Sequence, residues 1–470
     1  MNFIEQLSKL VGETSIRTGD DAKLFHTDER NRYHHAPLAV AFPNTIEEIA
    51  AIVKLCARQN PPIAIIAQGG NTGLVGGCAI LPGTPSIILN LSRLNQKIDV
   101  DAVNQTVTAQ AGVTLENLHQ AAAAHHLMFP LTLASQSAAT IGGNLATNAG
   151  GTQVLRYGNM RDLCLGLEVV LANGEVWHGL NTLRKNNTGY DLKHLFIGAE
   201  GTLGIITTAV LKLYPAPAQR RVAMIATADF SHILQAFQSL QQRFDSQLIA
   251  FEYISNAALN LVCTQFKLTH PFATTDQDNA EYALIELSST LPLRTEDLES
   301  ALSDLTEQTI IHNAVIAQSE QNAIDFWNLR EWISAAQKRV GKNIKHDISL
   351  PISNLVAFNK DTQAVLQAQF PKIQPMVFGH IGDGNLHFNI SMGQAFSNAD
   401  ELMQREPEIN AIVYAQVQQF NGSISAEHGI GLLKRDLLTA VKSKVEIDLM
   451  RAIKSQLDPL NIMNPHKILS

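Results

Sequence analysis

Residues 378–391 read FGHIGDGNLHFNIS and hold two histidines seven positions apart. Gly382-Asp383-Gly384 predicts a tight turn. LHFNIS alternates after it, so Leu386, Phe388 and Ile390 share one face of a strand while His387, Asn389 and Ser391 share the other. Reversal at the turn would carry His380 back towards His387 and turn sequence separation into one site. A second stretch, SAEHGIG at 425–431, sets Glu427 beside His428. Neighbours on extended backbone point apart, so one can ligate an ion while the other addresses a substrate. Two imidazoles and a carboxylate are an ordinary donor set for a catalytic zinc or similar divalent ion with positions left open. A single strand histidine is usually a core or surface residue; a pair around a turn shifts the balance towards chemistry.

Three glycine clusters lie in the first half: AQGGNTGLVGG at 67–77, IGGNLATNAGG at 141–151 and IGAEGTLGI at 197–205. Glycine permits positive φ and removes the side chain that would keep a ligand from main-chain N–H groups. Consecutive N–H groups of such turns can hold a diphosphate without a lysine. The first cluster lacks Gly-Lys-Ser/Thr, so it is not a P-loop. Glycines at 70, 73 and 76 do not fit G-x-G-x-x-G at the start of a Rossmann helix. A nicotinamide cofactor in a doubly wound fold is therefore not expected. Any one cluster could be a set of tight turns; all three within one stretch point to a shared dinucleotide.

The elements that must position these groups follow from periodicity. LAVAFPNTIEEIAAIV (38–53) predicts a short strand, a cap at Asn44-Thr45 and a helix. Strands follow at IAIIA, SIILN, VTAQAG and LEVVLANGEVW, the last with a hairpin at Asn173-Gly174. Pro215-Ala216-Pro217 closes this α+β unit, expected over residues 1–216. From RRVAMIATA (220) onward, strand, helix, strand, helix predicts an antiparallel sheet with helices on one face, expected over 217–425. Residues 426–470 form a C-terminal helical segment that returns to the first domain. The helix at 324–341 sets Arg330 and Ser334 four apart on one face, and KNIKHDISLP places Lys345 on a following strand.

Composition bounds the class. The chain has 470 residues, 45% hydrophobic and 17% charged, the balance of an ordinary globular protein. A net charge of −8 without basic runs argues against a nucleic-acid partner. No signal peptide or membrane span is expected, and four dispersed cysteines suit a reduced, cytoplasmic chain.

The segments SQSAATIGGNLATNAGGTQVLRYGNMRDLCLGLEVVLANGEV and LRKNNTGYDLKHLFIGAEGTLGIIT closely resemble the PCMH-type FAD-binding domain of the vanillyl-alcohol oxidase / p-cresol methylhydroxylase superfamily. Within it the resemblance is to the FAD-linked D-2-hydroxyacid dehydrogenases, above all those acting on D-2-hydroxyglutarate, and covers nearly the whole chain. It implies two subdomains around FAD, with Gly69, Gly70, Asn71, Thr72, Gly73, Gly76 and Gly77 along the diphosphate. Ser135, Gly142, Gly143, Asn144 and Asn148 would line the isoalloxazine and ribityl, and Glu200, Gly201 and Gly204 the adenine side. Gln68, Gly150, Gly151, Ile206 and Asn464 join the cofactor-binding set. Asn71 stands where covalent members carry histidine or cysteine, so non-covalent FAD is expected.

The same resemblance implies His380, His387 and Glu427 as ligands of a divalent metal, Zn²⁺ or a similar ion, His428 as general base and Asn389 at the substrate carboxylate. Arg330, a hydroxyl residue and Lys345 would clamp a second carboxylate, Ser334 standing where threonine is expected. Two cations fit a dicarboxylate. The expected reaction is oxidation of a D-2-hydroxy acid to the 2-oxo acid, D-2-hydroxyglutarate before D-lactate, D-malate or glycolate, with the hydride passing to flavin N5. Electrons would leave to an electron-transfer flavoprotein or a quinone, and a homodimer is compatible with the chain. A non-catalytic flavin-binding electron-transfer subunit is the rival class; it would not need His380, His387, Glu427 and His428 together.

Overall fold

Unbroken apolar runs such as AIIAQ and SIILN make strands buried on both faces, which pair in parallel beneath helices. The computed structural model describes residues 1–272 and 280–469. It shows Ala39–Ala41, Ser86–Asn90 and Ala64–Gln68 as a parallel set, with Ile16–Arg17 antiparallel at one edge. Alternate residues of these strands enter two separate cores. Ile65, Ile87 and Leu89 pack with Ile49, Ile52 and Val53 of helix Ile46–Ala57, whereas Ile66 and Ile88 pack with Val40 and Phe42. That helix opens on Thr45, whose hydroxyl accepts from the Glu48 amide at 3.2 Å.

The second sheet of this unit is antiparallel, in the order Ile98–Asp101, Thr106–Gln110, Ile205–Lys212, Cys164–Val170, Val176–Gly179. Asn173-Gly174 joins its last two strands, with Gly174 at φ +74°. The chain end belongs to the same unit: the Ile65 amide donates to Ile462 O at 2.7 Å and the Asn464 amide to Ile65 O at 2.9 Å. One compact unit thus comprises residues 1–151, 157–216 and the chain from Glu427 on; the other comprises 152–156 and 217–426.

Among the described residues, the second unit is built on seven antiparallel strands. Their order is Asn313–Ile316, Gln219–Thr227, Glu281–Ser289, Leu248–Ile254, Pro375–His380, Asn385–Ile390, Asp347–Ser349. Leu248–Ile254, LIAFEYI, is buried along its whole length. Phe251 and Tyr253 point to one face, where Phe237 and Phe230 of helix Phe230–Phe244 meet them with ring centroids 5.2 and 4.4 Å apart. Ala250 and Ile254 point to the other and pack with Leu259 of helix Asn256–Phe266 and with Ile333. Helices therefore cover both faces of the sheet, where the order of elements had pointed to one. A strand without a polar face needs cover on each side.

Candidate active site

Glu252 is the one charged side chain of LIAFEYI, and the register places it directly opposite His380 on the neighbouring strand. Its two oxygens take different partners. His380 Nδ1 lies 2.7 Å from Oε1, and Arg330 Nε donates to Oε2 at 2.8 Å. Burial works to raise the Glu252 carboxyl, but its contacts with His380 and Arg330 outweigh it and hold the group below the usual carboxylate range. A carboxylate acceptor at Nδ1 fixes the His380 tautomer with its lone pair on Nε2.

Arg330 closes helix Glu320–Glu331 and lies over the Phe378 ring at 4.9 Å. With Nε committed to Glu252, its two terminal nitrogens make no hydrogen bond among the described residues, and they form the edge that grips a carboxylate bidentately. The continuous helix expected through Ser334 is interrupted. Trp332, at φ −82° and ψ 1°, separates Glu320–Glu331, which carries Arg330, from Ile333–Val340, which carries Ser334.

His387 sits on Asn385–Ile390, paired in register with Phe378. The turn between the strands brings the His380 and His387 ring centroids to 5.8 Å, with one ligand nitrogen of each within 4.8 Å of the other. Leu386, Phe388 and Ile390 are fully buried on the opposite face, where Phe358 meets Phe388. The alternation read from LHFNIS is present. Asn389 shares the histidine face, but its Nδ2 donates to Gln337 Oε1 at 3.0 Å, and Gln337 Nε2 donates to Ser391 Oγ at 3.2 Å. This amide chain holds Asn389 in place.

Lys345 precedes strand Asp347–Ser349. Ile344 exchanges backbone hydrogen bonds with Ile390, and the Phe388 amide donates to His346 O. His346 faces Tyr414, so alternation turns Lys345 and Asp347 to the face of His387 and Asn389. Asp347 is buried, accepts from Asn385 Nδ2 at 3.0 Å and lies 3.8 Å from His387 Nδ1. The Ala426 amide is bonded to Asp347 O. Glu427 and His428 are the next residues of the chain, and within this unit His387 lies beside both His380 and Asp347. Two imidazoles and a carboxylate fit a divalent ion. Sequence reasoning missed Glu252, Gln337 and Asp347; the lone acid in an apolar strand was the available signal for the first.

In the other unit the three glycine clusters come together. A Cβ on Gly70 would lie 1.9 Å from Ala138 O, and one on Gly69 would lie 2.2 Å from Thr140 Oγ1, so the first cluster packs tightly on the entrance to the second. Nothing lies within 4 Å of a Cβ on Gly73. Asn71 is in the left-handed region at φ +55° and donates to Thr27 O; Thr72, Gly76 and Gly77 continue the loop. Gln68 is buried, its amide donating to Phe25 O and accepting from Asn90, so it shapes the loop from behind. Gly142, Gly143 and Asn144 lie on the short helix Ile141–Ala146, capped by Thr140. Ser135 leads into that helix, its carbonyl accepting from the Ala138 and Ala139 amides.

After the helix come Asn148, whose Oδ1 accepts from the Arg161 amide, and Gly150 and Gly151. The Glu200 amide donates to Ala146 O, joining the third cluster to the second. Gly201 and Gly204 follow, leading into strand Ile205–Lys212 with Ile206. Asn464 Nδ2 donates to both Gly77 O and Glu200 O, joining the third cluster to the first. The Glu200 carboxylate accepts from the Ile430 and Gly431 amides at 2.7 and 2.8 Å. Burial raises its carboxyl to about 7 against the pull of those amides and of Lys434 and Lys467. Two buried polar atoms, Asn144 Nδ2 and Asn464 Oδ1, have no hydrogen-bond partner among the described residues. Open main chain and unmatched polar atoms fit a flavin dinucleotide.

A glycine-lined unit of two sheets joined to an antiparallel-sheet unit is the build of flavin-linked oxidases. Residues 37–179 match the FAD binding domain family, and residues 216–468 match the FAD linked oxidases, C-terminal domain family. The chain belongs to the FAD-linked oxidases, as the resemblance implied, and is an FAD-dependent dehydrogenase. It is 38% identical over 453 residues to a D-2-hydroxyglutarate dehydrogenase of Xanthomonas citri pv. viticola, covering 95% of this chain and 92% of the relative. A D-2-hydroxyglutarate dehydrogenase of Stutzerimonas stutzeri is 36% identical over 469 residues, covering 100% of this chain and 99% of the relative. Among solved structures, p-cresol methylhydroxylase with substrate bound superposes with a TM-score of 0.75 at 18% identity, covering 99% of this chain and 96% of that one, which shows the fold. No described helix is long and apolar enough to cross a membrane.

Proposed function

We propose that this protein oxidises D-2-hydroxyglutarate to 2-oxoglutarate, with D-malate as a secondary substrate. One observation carries the choice of a dicarboxylate: Arg330 is held through Nε by Glu252, its terminal nitrogens making no hydrogen bond among the described residues, on the sheet face that carries His380 and His387. The identity to named D-2-hydroxyglutarate dehydrogenases over almost the whole chain supports the same reading. When bound, FAD supplies the two-electron acceptor and a divalent ion, Zn²⁺ or similar, supplies Lewis acidity at the hydroxyl and its neighbouring carboxylate.

The chain's own residues do the rest. His380, His387 and Glu427 hold the ion, Arg330 and Lys345 hold the distal carboxylate, and Asn389, anchored by Gln337, faces the acid. His428 takes the C2 hydroxyl proton, an imidazole being matched to a working pH near neutrality. Ser334, on the helix that follows Trp332, adds a hydroxyl to the clamp of Arg330 and Lys345. The glycine loops hold FAD without a covalent bond. Electrons leave to an electron-transfer flavoprotein or a quinone, and we place the protein in the cytoplasm.

A panel of D-2-hydroxy acids with a dye acceptor tests the reading. The expected order of kcat/KM is D-2-hydroxyglutarate, then D-malate, then D-lactate and glycolate. A preference for D-lactate would show that the distal carboxylate has no partner and overturn the dicarboxylate assignment.

A further inference from the structure

We propose that Glu252 is a positioning residue that couples the ion site to the acid clamp, one buried carboxylate aiming both His380 and Arg330. The inference rests on the reading of those two residues given above and goes beyond it.

The geometry is specific. Glu252 stands between two strands, opposite His380 on one side and Leu284 on the other. Its side chain is fully buried in a strand otherwise made of apolar residues. A lone carboxylate there would be strongly unfavourable, and only hydrogen-bonded partners of opposite charge offset the loss of water. The sheet supplies two, one for each oxygen, at 2.7 and 2.8 Å.

Each contact has a consequence at the far end of the partner. Accepting from His380 Nδ1 leaves Nε2 as the ligating nitrogen and strengthens it as a donor to a cation. Accepting from Arg330 Nε fixes the guanidinium in rotation about its long axis and directs the edge formed by the two terminal nitrogens away from the sheet. Phe378, under the guanidinium at 4.9 Å and against the His387 ring at 4.9 Å, closes off the alternative orientations. A single planar group therefore sets the angle between the ion's ligand and the fork that holds the acid. A hydroxy acid is gripped at both ends only if those two directions agree, so the site's reach is set from beneath by a residue that touches neither end of the substrate.

The test uses the FAD-loaded, full-length protein. In Glu252→Gln, one oxygen is replaced by an NH2 group that cannot accept, so His380 and Arg330 can no longer both be served. Zn²⁺ affinity is measured by chelator competition, and 2-oxoglutarate affinity of the ion-free protein by calorimetry. At an unchanged melting temperature the expected result is a 10- to 100-fold loss of Zn²⁺ affinity together with at least a 10-fold loss of 2-oxoglutarate affinity. Loss of only one, or of neither, overturns the coupling.

Two further variants separate this from failure of the underlying assignments. His380→Ala should lose Zn²⁺ whatever Glu252 does, and Arg330→Lys should lose 2-oxoglutarate while keeping Zn²⁺. If His380→Ala binds Zn²⁺ normally, the ion site is misassigned; if Arg330→Lys binds the acid normally, the clamp is. Should Glu252→Gln not fold, Glu252→Asp keeps the charge but withdraws both oxygens by one methylene. The same paired loss is expected from it, and unaltered binding of either probe again overturns the proposal.

Discussion

Glu200 shows how one side chain can make folding depend on pH. Its carboxyl rises from the ordinary 4.5 to about 7 because it is buried, even though the Ile430 and Gly431 amides favour its charged form. The folded state thus binds the proton more tightly than the unfolded chain. The stabilisation is complete below the unfolded pKa and is lost as pH rises through about 7. A shift of this size corresponds to about 3 kcal/mol across the window. Glu200→Gln is expected to flatten the fall in melting temperature between pH 5 and 8, measured by thermal scans at fixed salt. A parallel pair of curves would show that Glu200 does not titrate there. Glu200 and Glu252 were not equally legible. Glu200 lies in a glycine-rich motif, whereas Glu252 announces itself only as an acid in LIAFEYI, and nothing nearby in sequence names its partners at 330 and 380.

At the scale of elements, the glycine clusters separate packing from binding. Gly70→Ala would drive a Cβ to 1.9 Å from Ala138 O and must displace main chain. We expect this variant to lose both FAD and several degrees of melting temperature. Gly73→Ala meets nothing within 4 Å, so the apoprotein should melt as the parent does while FAD affinity falls by about tenfold, a 1.4 kcal/mol effect. Flavin fluorescence titration checks both; a Gly73→Ala protein with parental FAD affinity would show that the loop's open side is not where the cofactor lies. The C-terminal helix Lys444–Leu457 ends on Asp458, whose carboxylate accepts from the Ile462 and Met463 amides at 3.0 and 2.8 Å. Those amides belong to the stretch that pairs with Ile65. Asp458→Ala should free that stretch, cost about 1–3 kcal/mol through two unmade buried hydrogen bonds and speed proteolysis of the chain end. Unchanged cleavage would show that Asp458 is not what holds it.

For the whole molecule, the distinguishing expectation is that flavin and ion can be removed separately. Thorough chelation should leave the flavin absorbance intact and reduce dye-coupled turnover at least 100-fold, with Zn²⁺ or a similar divalent ion restoring it. Turnover indifferent to chelation would remove the ion from the reaction. The sequence by itself determined what depends on neighbours a few residues apart: the positive-φ glycine turns, the alternation that puts His387 and Asn389 on one face, the hairpin at Asn173-Gly174, the capped helix after Thr45. Each is set by local sterics or by a side-chain period of two. Tertiary structure alone decided that strand Leu248–Ile254 lies beside Pro375–His380, and so that Glu252 reaches His380. It also decided that helices cover both sheet faces, that the helix carrying Arg330 stops at Trp332, and that Asn464 ties Gly77 to Glu200. Those contacts join residues up to 387 positions apart, and no local pattern carries strand order. Strand order is chosen by which apolar faces can be buried together, a choice made by the chain as a whole.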